Sequence, residues 1–114
     1  MVTVRDILEL VPCEMLSGRS SLDSEVRGGY VSDLLSNVMA QAQPGWIWVT
    51  MQGHQNIVAV ASLAGLAGVI LAGGVRPDPE TIEKAEREKV PLLATAWPAF
   101  EVAGRLYGCG LRGR

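Results

Sequence analysis

Charged and uncharged positions divide this chain into polar ends and an apolar middle. Residues 34–75 contain no Asp, Glu, Lys or Arg, and His54 is the single histidine of the chain. Within this middle, residues 57–72 form an almost continuous apolar run, which is a pattern that membrane-spanning helices show. The run is rich in Ala and Gly and lacks basic flanking residues, and both features argue against a span.

Two glycines offer a better division of the apolar run. A break at Gly65 and Gly68 leaves a helix over residues 56–66 and a short strand over residues 68–72. Strands that are covered by helices on both faces are typically continuous apolar runs, and the second segment has that character. We therefore predict a buried helix and a buried strand in place of a membrane span.

Further strands and helices flank this pair. Trp46–Thr50 is rich in β-favouring residues, and residues 90–95 form another short apolar strand. Between them, residues 80–89 predict a polar helix with Asp78 as its N-cap and Pro79 at its first position. The last predicted helix covers residues 98–107 and has an apolar stripe, which consists of Phe100, Ala103, Leu106 and Tyr107.

The first third of the chain is less regular. Thr3 is a suitable cap for a helix over Val4–Leu10, and Ser32 for a helix over residues 33–40. Residues 13–16 and Glu25–Val26 predict short strands, and the diglycine Gly28-Gly29 leads into residues 30–31. Strands that alternate with helices imply parallel pairing and right-handed crossovers. We predict a single α/β domain over residues 1–114, a three-layer α/β/α sandwich with a mainly parallel sheet of about 4–5 strands.

Charge and composition exclude several classes of protein. The 114 residues carry a net charge of -2, from 10 Lys and Arg against 12 Asp and Glu, so no electrostatic attraction to nucleic acid or anionic lipid is expected. Hydrophobic residues make up 48%, which excludes disorder. Two cysteines form neither a disulfide framework nor a four-ligand metal site. Because residues 1–10 carry charges and no signal-peptide pattern, we expect a reduced, cytoplasmic protein.

Candidate chemistry concentrates where the predicted strands end. In a parallel sheet, ligands bind beyond the carboxyl ends of the strands. The side chains and glycines expected at this edge are Thr50, Gln52, His54, Asn56, Gly73, Gly74 and Arg76. The segment Arg27-Gly28-Gly29 joins them if the short strand before it is parallel. Backbone amides at the Gly73-Gly74 turn and the Arg76 guanidinium suit a phosphate or a carboxylate.

Each of these residues also has a purely structural interpretation. Gly73-Gly74 also suits a tight turn without a ligand, and His54 a cap of the helix that follows it. Arg27 is equally suited to fixing a loop or a helix end. Trp46 and Trp48 alternate on one strand and project to one face, which favours packing in the core or at an interface.

Catalytic patterns are absent. The glycine-rich segments are neither a Walker loop nor G-x-G-x-x-G, and the chain has no G-x-S-x-G or H-E-x-x-H. Cys13 has no base near it in sequence, which is typical of a small buried thiol. We therefore assign no catalytic residue, no metal ligand and no cofactor.

Taken together, three segments resemble a DRTGG domain. They are residues 28–39, residues 48–58 and residues 69–78, and the likeness continues through residues 82–85, 90–93 and 103–107. The chain contains no contiguous Asp-Arg-Thr-Gly-Gly, and its diglycines follow Arg27 and Ala72. The resemblance implies a non-catalytic α/β/α module that regulates or assembles, as such domains do beside CBS domains in certain inorganic pyrophosphatases.

From these patterns we expect a regulatory or assembly domain that self-associates and binds a small anionic ligand, of the nucleotide or phosphate type. Its other partner is expected to be a protein that carries the catalytic function. Trp46, Trp48 and the Ala-rich helix offer more apolar surface than a small monomer hides, which predicts a two-fold homodimer. The alternatives are a small enzyme that acts at the strand ends and a purely structural subunit of a larger complex.

Overall fold

The computed structural model describes residues 1–114 and alternates strands with helices. The first part of the chain contains β1 (Val2–Thr3), α1 (Val4–Leu10), β2 (Glu14–Ser17), a 3₁₀ turn (Arg19–Ser21), β3 (Glu25–Val26) and β4 (Gly28–Val31). The second part contains α2 (Leu35–Gln41), β5 (Trp46–Thr50), α3 (Asn56–Ala64), β6 (Gly68–Leu71), α4 (Pro79–Arg87), β7 (Leu92–Ala94) and α5 (Ala99–Gly108).

Five of the strands form one sheet in the order β2-β7-β6-β5-β4. The strands β4, β5, β6 and β7 are parallel, whereas β2 pairs with β7 in the antiparallel direction. A second, two-stranded sheet pairs β1 with β3. The prediction of an α/β/α sandwich with a mainly parallel sheet is confirmed.

Helices cover both faces of the sheet. On one face, α2, α3 and α4 pack on the side chains of Trp46 and Trp48 and on the residues of β6 and β7 that share their face. On the other face, α1 and α5 pack on Ile47, Val49 and Ile70. Both tryptophans are therefore core residues, and the Trp48 indole Nε1–H donates a hydrogen bond to the Ser32 carbonyl at 2.8 Å. Because their apolar surface is already buried, the tryptophans provide no reason for a dimer.

The helices begin and end largely where local sequence predicts. Thr3 and Asp6 cap α1 reciprocally, since each side chain accepts a hydrogen bond from the backbone amide of the other. Helix α3 is nine residues long and ends at Gly65, whose φ of 67° lies in the left-handed region. The predicted break in the apolar run is confirmed, and no helix of the structure has the length and apolar character needed to cross a membrane.

Two elements differ from their predictions. Residues 28–31 form the complete strand β4, whereas the sequence predicted no strand there. Helix α2 begins at Leu35, after its predicted start at residue 33. In α5, the predicted apolar stripe has the wrong phase. Val102 and Leu106 are buried against the sheet, whereas Phe100 and Tyr107 are exposed. At 100° per residue, a helix that packs through Val102 and Leu106 turns Phe100 and Tyr107 away from the core.

Candidate functional site

Loops from three parallel strands and the start of β2 meet at one edge of the sheet, which we call the carboxyl edge. The residues after Thr50, Leu71 and Ala94 leave the sheet here. Because β2 is antiparallel, its first residue, Glu14, lies at the same edge. An open cleft of about 600 Å³ lies beside the start of β2 and the ends of β6 and β7, and it is lined by Pro12, Cys13, Glu14, Gly74, Val75, Arg76, Ala94, Thr95 and Ala96. We call it the carboxyl-edge cleft.

The Gly73-Gly74 turn is held by the protein itself. The Gly73 N–H donates to the Trp97 carbonyl at 2.8 Å, and the Gly74 N–H donates to the Thr95 carbonyl at 2.9 Å. Both glycines have positive φ, at 72° and 76°, which favours glycine at these positions. The expectation that these amides bind an anion is wrong, because the β7–α5 loop already accepts both donors.

Arg76 is the only cationic side chain that lines the cleft. Its guanidinium is 67% exposed, and its Nη1 lies 3.4 Å from a carboxylate oxygen of Glu14 across the cleft. The backbone N–H groups of Arg76 and Ala96 have no acceptor within the chain. The cleft therefore combines one guanidinium and two free amides with a single competing carboxylate.

Thr50 has a different environment. Its side chain is buried, and its hydroxyl donates to Asp33 Oδ1 at 2.8 Å and accepts the Gln52 N–H at 3.2 Å. The Met51 N–H donates to the same Asp33 oxygen at 2.7 Å. Thr50 thus joins the loop after β4 to the loop after β5. Sequence analysis did not select Asp33, although its position directly after a strand end, beside Ser32, was a usable signal.

The remaining polar residues of the β5–α3 loop are exposed and lie outside the cleft lining. The imidazole Nδ1 of His54 accepts the Asn56 N–H at 3.1 Å, so this histidine caps the start of α3. Gln52 and Asn56 are exposed, and neither lines the cleft. Of the seven residues predicted for this edge, the cleft thus brings together Gly74 and Arg76.

Arg27, Gly28 and Gly29 lie at the opposite edge of the sheet. Gly28 pairs with Trp46 at the start of β5, so this segment lies at the amino ends of two parallel strands. A Cβ on Gly28 would lie 2.6 Å from both the Arg112 carbonyl oxygen and the Trp46 Nε1, which explains why glycine is required. Arg27 is exposed and pairs with Glu25 at 3.4 Å. The condition under which these residues would join the carboxyl edge is not met, because the strand before them, β3, pairs with β1 in the antiparallel direction.

Two further observations describe the chemistry available. Burial raises the pKa of the Cys13 thiol, so the sulfur in the cleft is protonated at neutral pH and is a poor nucleophile. No three His, Cys, Asp or Glu side chains lie close enough together to hold a metal ion.

Comparison with known families identifies the domain type. The family model of the DRTGG domain matches residues 6–109. The chain belongs to the DRTGG domain family. No curated protein matches this DRTGG domain significantly.

A solved structure shares the fold of this DRTGG domain. It contains the CBS and DRTGG domains of the regulatory region of Clostridium perfringens pyrophosphatase, complexed with the activator diadenosine tetraphosphate. The TM-score is 0.72 at 17% sequence identity, and the match covers 88% of this chain. Our chain spans 44% of that structure.

Proposed function

We propose that this DRTGG domain is a regulatory module that binds a small anionic ligand, of the nucleotide or phosphate type, in the carboxyl-edge cleft. It associates with itself and acts on a partner protein that carries the catalysis. The observation that carries the proposal is the cleft itself, with Arg76 as its only cation. Further support comes from the fold, which is shared with a regulatory region that was solved with a nucleotide activator.

The size and donor groups of the cleft suit such a ligand. A volume of about 600 Å³ lies within the range of small-molecule sites. A guanidinium forms charge-assisted hydrogen bonds with phosphate oxygens, and the free N–H groups of Arg76 and Ala96 add neutral donors. Glu14 competes with an incoming anion for the guanidinium, so binding replaces an exposed ion pair with contacts to the ligand.

The same residues give little support to catalysis. The Cys13 thiol of the cleft is kept protonated by the burial that raises its pKa, and the Thr95 hydroxyl donates its hydrogen to the Pro12 carbonyl at 2.9 Å. His54 lies on another loop, and its Nδ1 accepts a hydrogen bond from the Asn56 amide. The cleft therefore has groups that recognise an anion and lacks an activated base or nucleophile, which favours a regulatory role over an enzymatic one.

Calorimetric titration tests the ligand and its site together. We expect at least one of AMP, ADP, ATP, diadenosine tetraphosphate and inorganic phosphate to release heat on binding. Arg76→Ala should weaken that binding by about 10- to 150-fold, because a hydrogen bond to a charged group contributes about 1.5–3 kcal/mol. Arg27→Ala is a matched control, since Arg27 is equally exposed, at 68%, and pairs with a carboxylate at the same 3.4 Å.

A charge-removing variant sharpens the test. Glu14→Gln should tighten binding by a few fold, because the carboxylate no longer competes for Arg76 and an exposed pair contributes about 0.2–1 kcal/mol. If no compound in the panel binds the wild-type protein, the ligand-binding proposal is overturned, and a purely structural role is favoured. Equal losses from Arg27→Ala and Arg76→Ala would remove the assignment to this cleft.

A further inference from the structure

Three of the exposed large apolar side chains lie around α5 and the edge strand β4. Phe100 is 86% exposed and Tyr107 is 60% exposed, although both belong to a helix that packs on the sheet. Val31, at the end of β4, is also exposed. The outward side of α5 consists of Phe100, Glu101, Gly104, Arg105 and Tyr107, which we call the α5 face. Within the chain, the Arg112 guanidinium lies 3.7 Å from the centre of the Tyr107 ring, whereas the Phe100 ring is left open.

An apolar groove adjoins the α5 face. It has a volume of about 140 Å³ and lies between α5, β4 and the end of the chain, where it is lined mainly by Tyr30, Val31, Ala103, Leu106, Tyr107 and Leu111. An apolar cavity of about 150 Å³ accommodates a benzene molecule, so this groove has room for roughly one aromatic ring. Phe100, on the same helix, is an exposed aromatic ring that packs in no pocket of its own chain.

We propose that the α5 face and this groove are the surface through which two copies of the chain associate, with their α5 helices antiparallel across a two-fold axis. This inference rests on the self-association in the proposed function. A two-fold interface is self-complementary, so that residue i contacts residue j of the second copy and j contacts i. Phe100 of each copy then enters the groove beside Tyr107 of the other.

The charges on the α5 face fit the same axis. Glu101 and Arg105 lie one helical turn apart, and neither forms an ion pair within the chain. The Arg105 guanidinium lies 5.0 Å from the centre of the Trp97 ring and 3.4 Å from the Leu10 carbonyl oxygen, so it has no acidic partner of its own. An antiparallel pair of α5 helices places Glu101 of one copy beside Arg105 of the other, twice. In such a pair, two residues that contact each other lie equally far along the helix from the axis. The midpoint between Glu101 and Arg105 is Ala103. The midpoint between Phe100 and Tyr107 is half a residue further on, so a single axis allows both pairings.

Gly104 lies on α5 directly beside this axis. A Cβ at this position would have no neighbour within 4 Å, so nothing inside the chain requires a glycine there. A glycine in a helix interior weakens the helix. Between two helices that cross at this residue, the missing side chain permits close approach. The apolar, charged and small residues of the α5 face therefore all support association with a second copy of this chain.

Sedimentation equilibrium over a range of concentrations tests the surface. We expect the wild-type protein to dimerise, and Phe100→Ala to raise the dimer Kd by roughly tenfold or more. Leu63→Ala is the matched control, because Leu63 is 78% exposed on α3, on the other side of the sheet, and its removal should leave Kd unchanged. Unchanged thermal melting of the monomeric Phe100→Ala protein would establish that the fold is intact.

Exchanging the charges of Glu101 and Arg105 tests the proposed two-fold axis directly. Glu101→Arg and Arg105→Glu should each weaken the dimer, because each places like charges opposite one another, and the double variant should restore it. A wild-type protein that stays monomeric up to about 1 mM overturns the self-association in the proposed function. A wild-type dimer that is insensitive to Phe100→Ala, or whose charge variants are not mutually compensating, overturns only the assignment to the α5 face.

Discussion

At the carboxyl edge, hydrogen bonds to the single residue Asp33 fix the positions of two loops. One oxygen of Asp33 accepts hydrogen bonds from the Thr50 hydroxyl and the Met51 amide, although Asp33 itself is exposed. Thr50 is only 1% exposed, so its hydroxyl depends on this acceptor. A buried donor without a partner is destabilising, because it has lost its hydrogen bond to water.

Asp33→Ala should therefore lower the free energy of unfolding by about 1–3 kcal/mol, as expected for leaving a buried polar group unsatisfied. The control is Asp23→Ala, which removes only an exposed ion pair with Arg5 and should cost about 0–1 kcal/mol. Urea denaturation of both variants measures the difference. Equal stabilities of the two would show that the Thr50 hydroxyl does not need Asp33.

Residue types alone predicted part of the site. The position of a residue along a parallel strand determines its edge, so the sequence placed Arg76 at the carboxyl edge, where it lines the cleft. The function of Gly73 and Gly74 depends on which carbonyls lie opposite their amides, and those carbonyls come from Thr95 and Trp97 in a distant loop. No local pattern contains that information.

Among the elements, β4 shows where propensity fails. Glycine is disfavoured in strands, and no strand was predicted at Gly28-Gly29. In the structure, Gly28 is nevertheless a strand residue. Glycine is required there because the Trp46 ring and the Arg112 carbonyl occupy the space of a side chain. The neighbouring Gly29 is less restricted, since the nearest atom to an added Cβ would lie at 3.7 Å.

These adjacent glycines predict opposite results for one substitution. Gly28→Ala should lower the free energy of unfolding by about 1–3 kcal/mol, because the backbone at Arg112 has to move to admit a methyl group. Gly29→Ala should be neutral or stabilise by up to about 1 kcal/mol, through the reduced freedom of the unfolded chain. Chemical denaturation decides between them, and an equal loss at both positions would contradict the packing account of β4.

Helix α5 has apolar residues on more than one side. Its length and position were predictable from its periodicity, but its phase was not, because apolar residues occupy more than one side. Val102 and Leu106 pack on the sheet, and Phe100 and Tyr107 are left outside. A helix with two apolar sides indicates two partners, and the sequence does not say which side meets the core.

For the whole molecule, the alternation of short apolar runs and helices was sufficient to predict the layered fold. The uncharged residues 34–75 contain β5, α3 and β6, which supply much of the core. A strand over residues 13–16 was predicted, but the antiparallel direction of β2 was not, although β2 forms one wall of the carboxyl-edge cleft. Strand direction at a sheet edge depends on where α1 packs, and that contact is tertiary.

We propose above that the carboxyl-edge cleft is the ligand site of this domain. The most direct measurement is a titration of ¹⁵N-labelled protein with the nucleotide that binds best, followed by amide chemical shifts. We predict that the largest shifts fall on Cys13, Glu14, Gly74, Arg76 and Ala96, and that Arg27, Gly28 and Gly29 at the opposite edge do not move. Largest shifts at Arg27, Gly28 and Gly29, with an unperturbed cleft, would contradict the account.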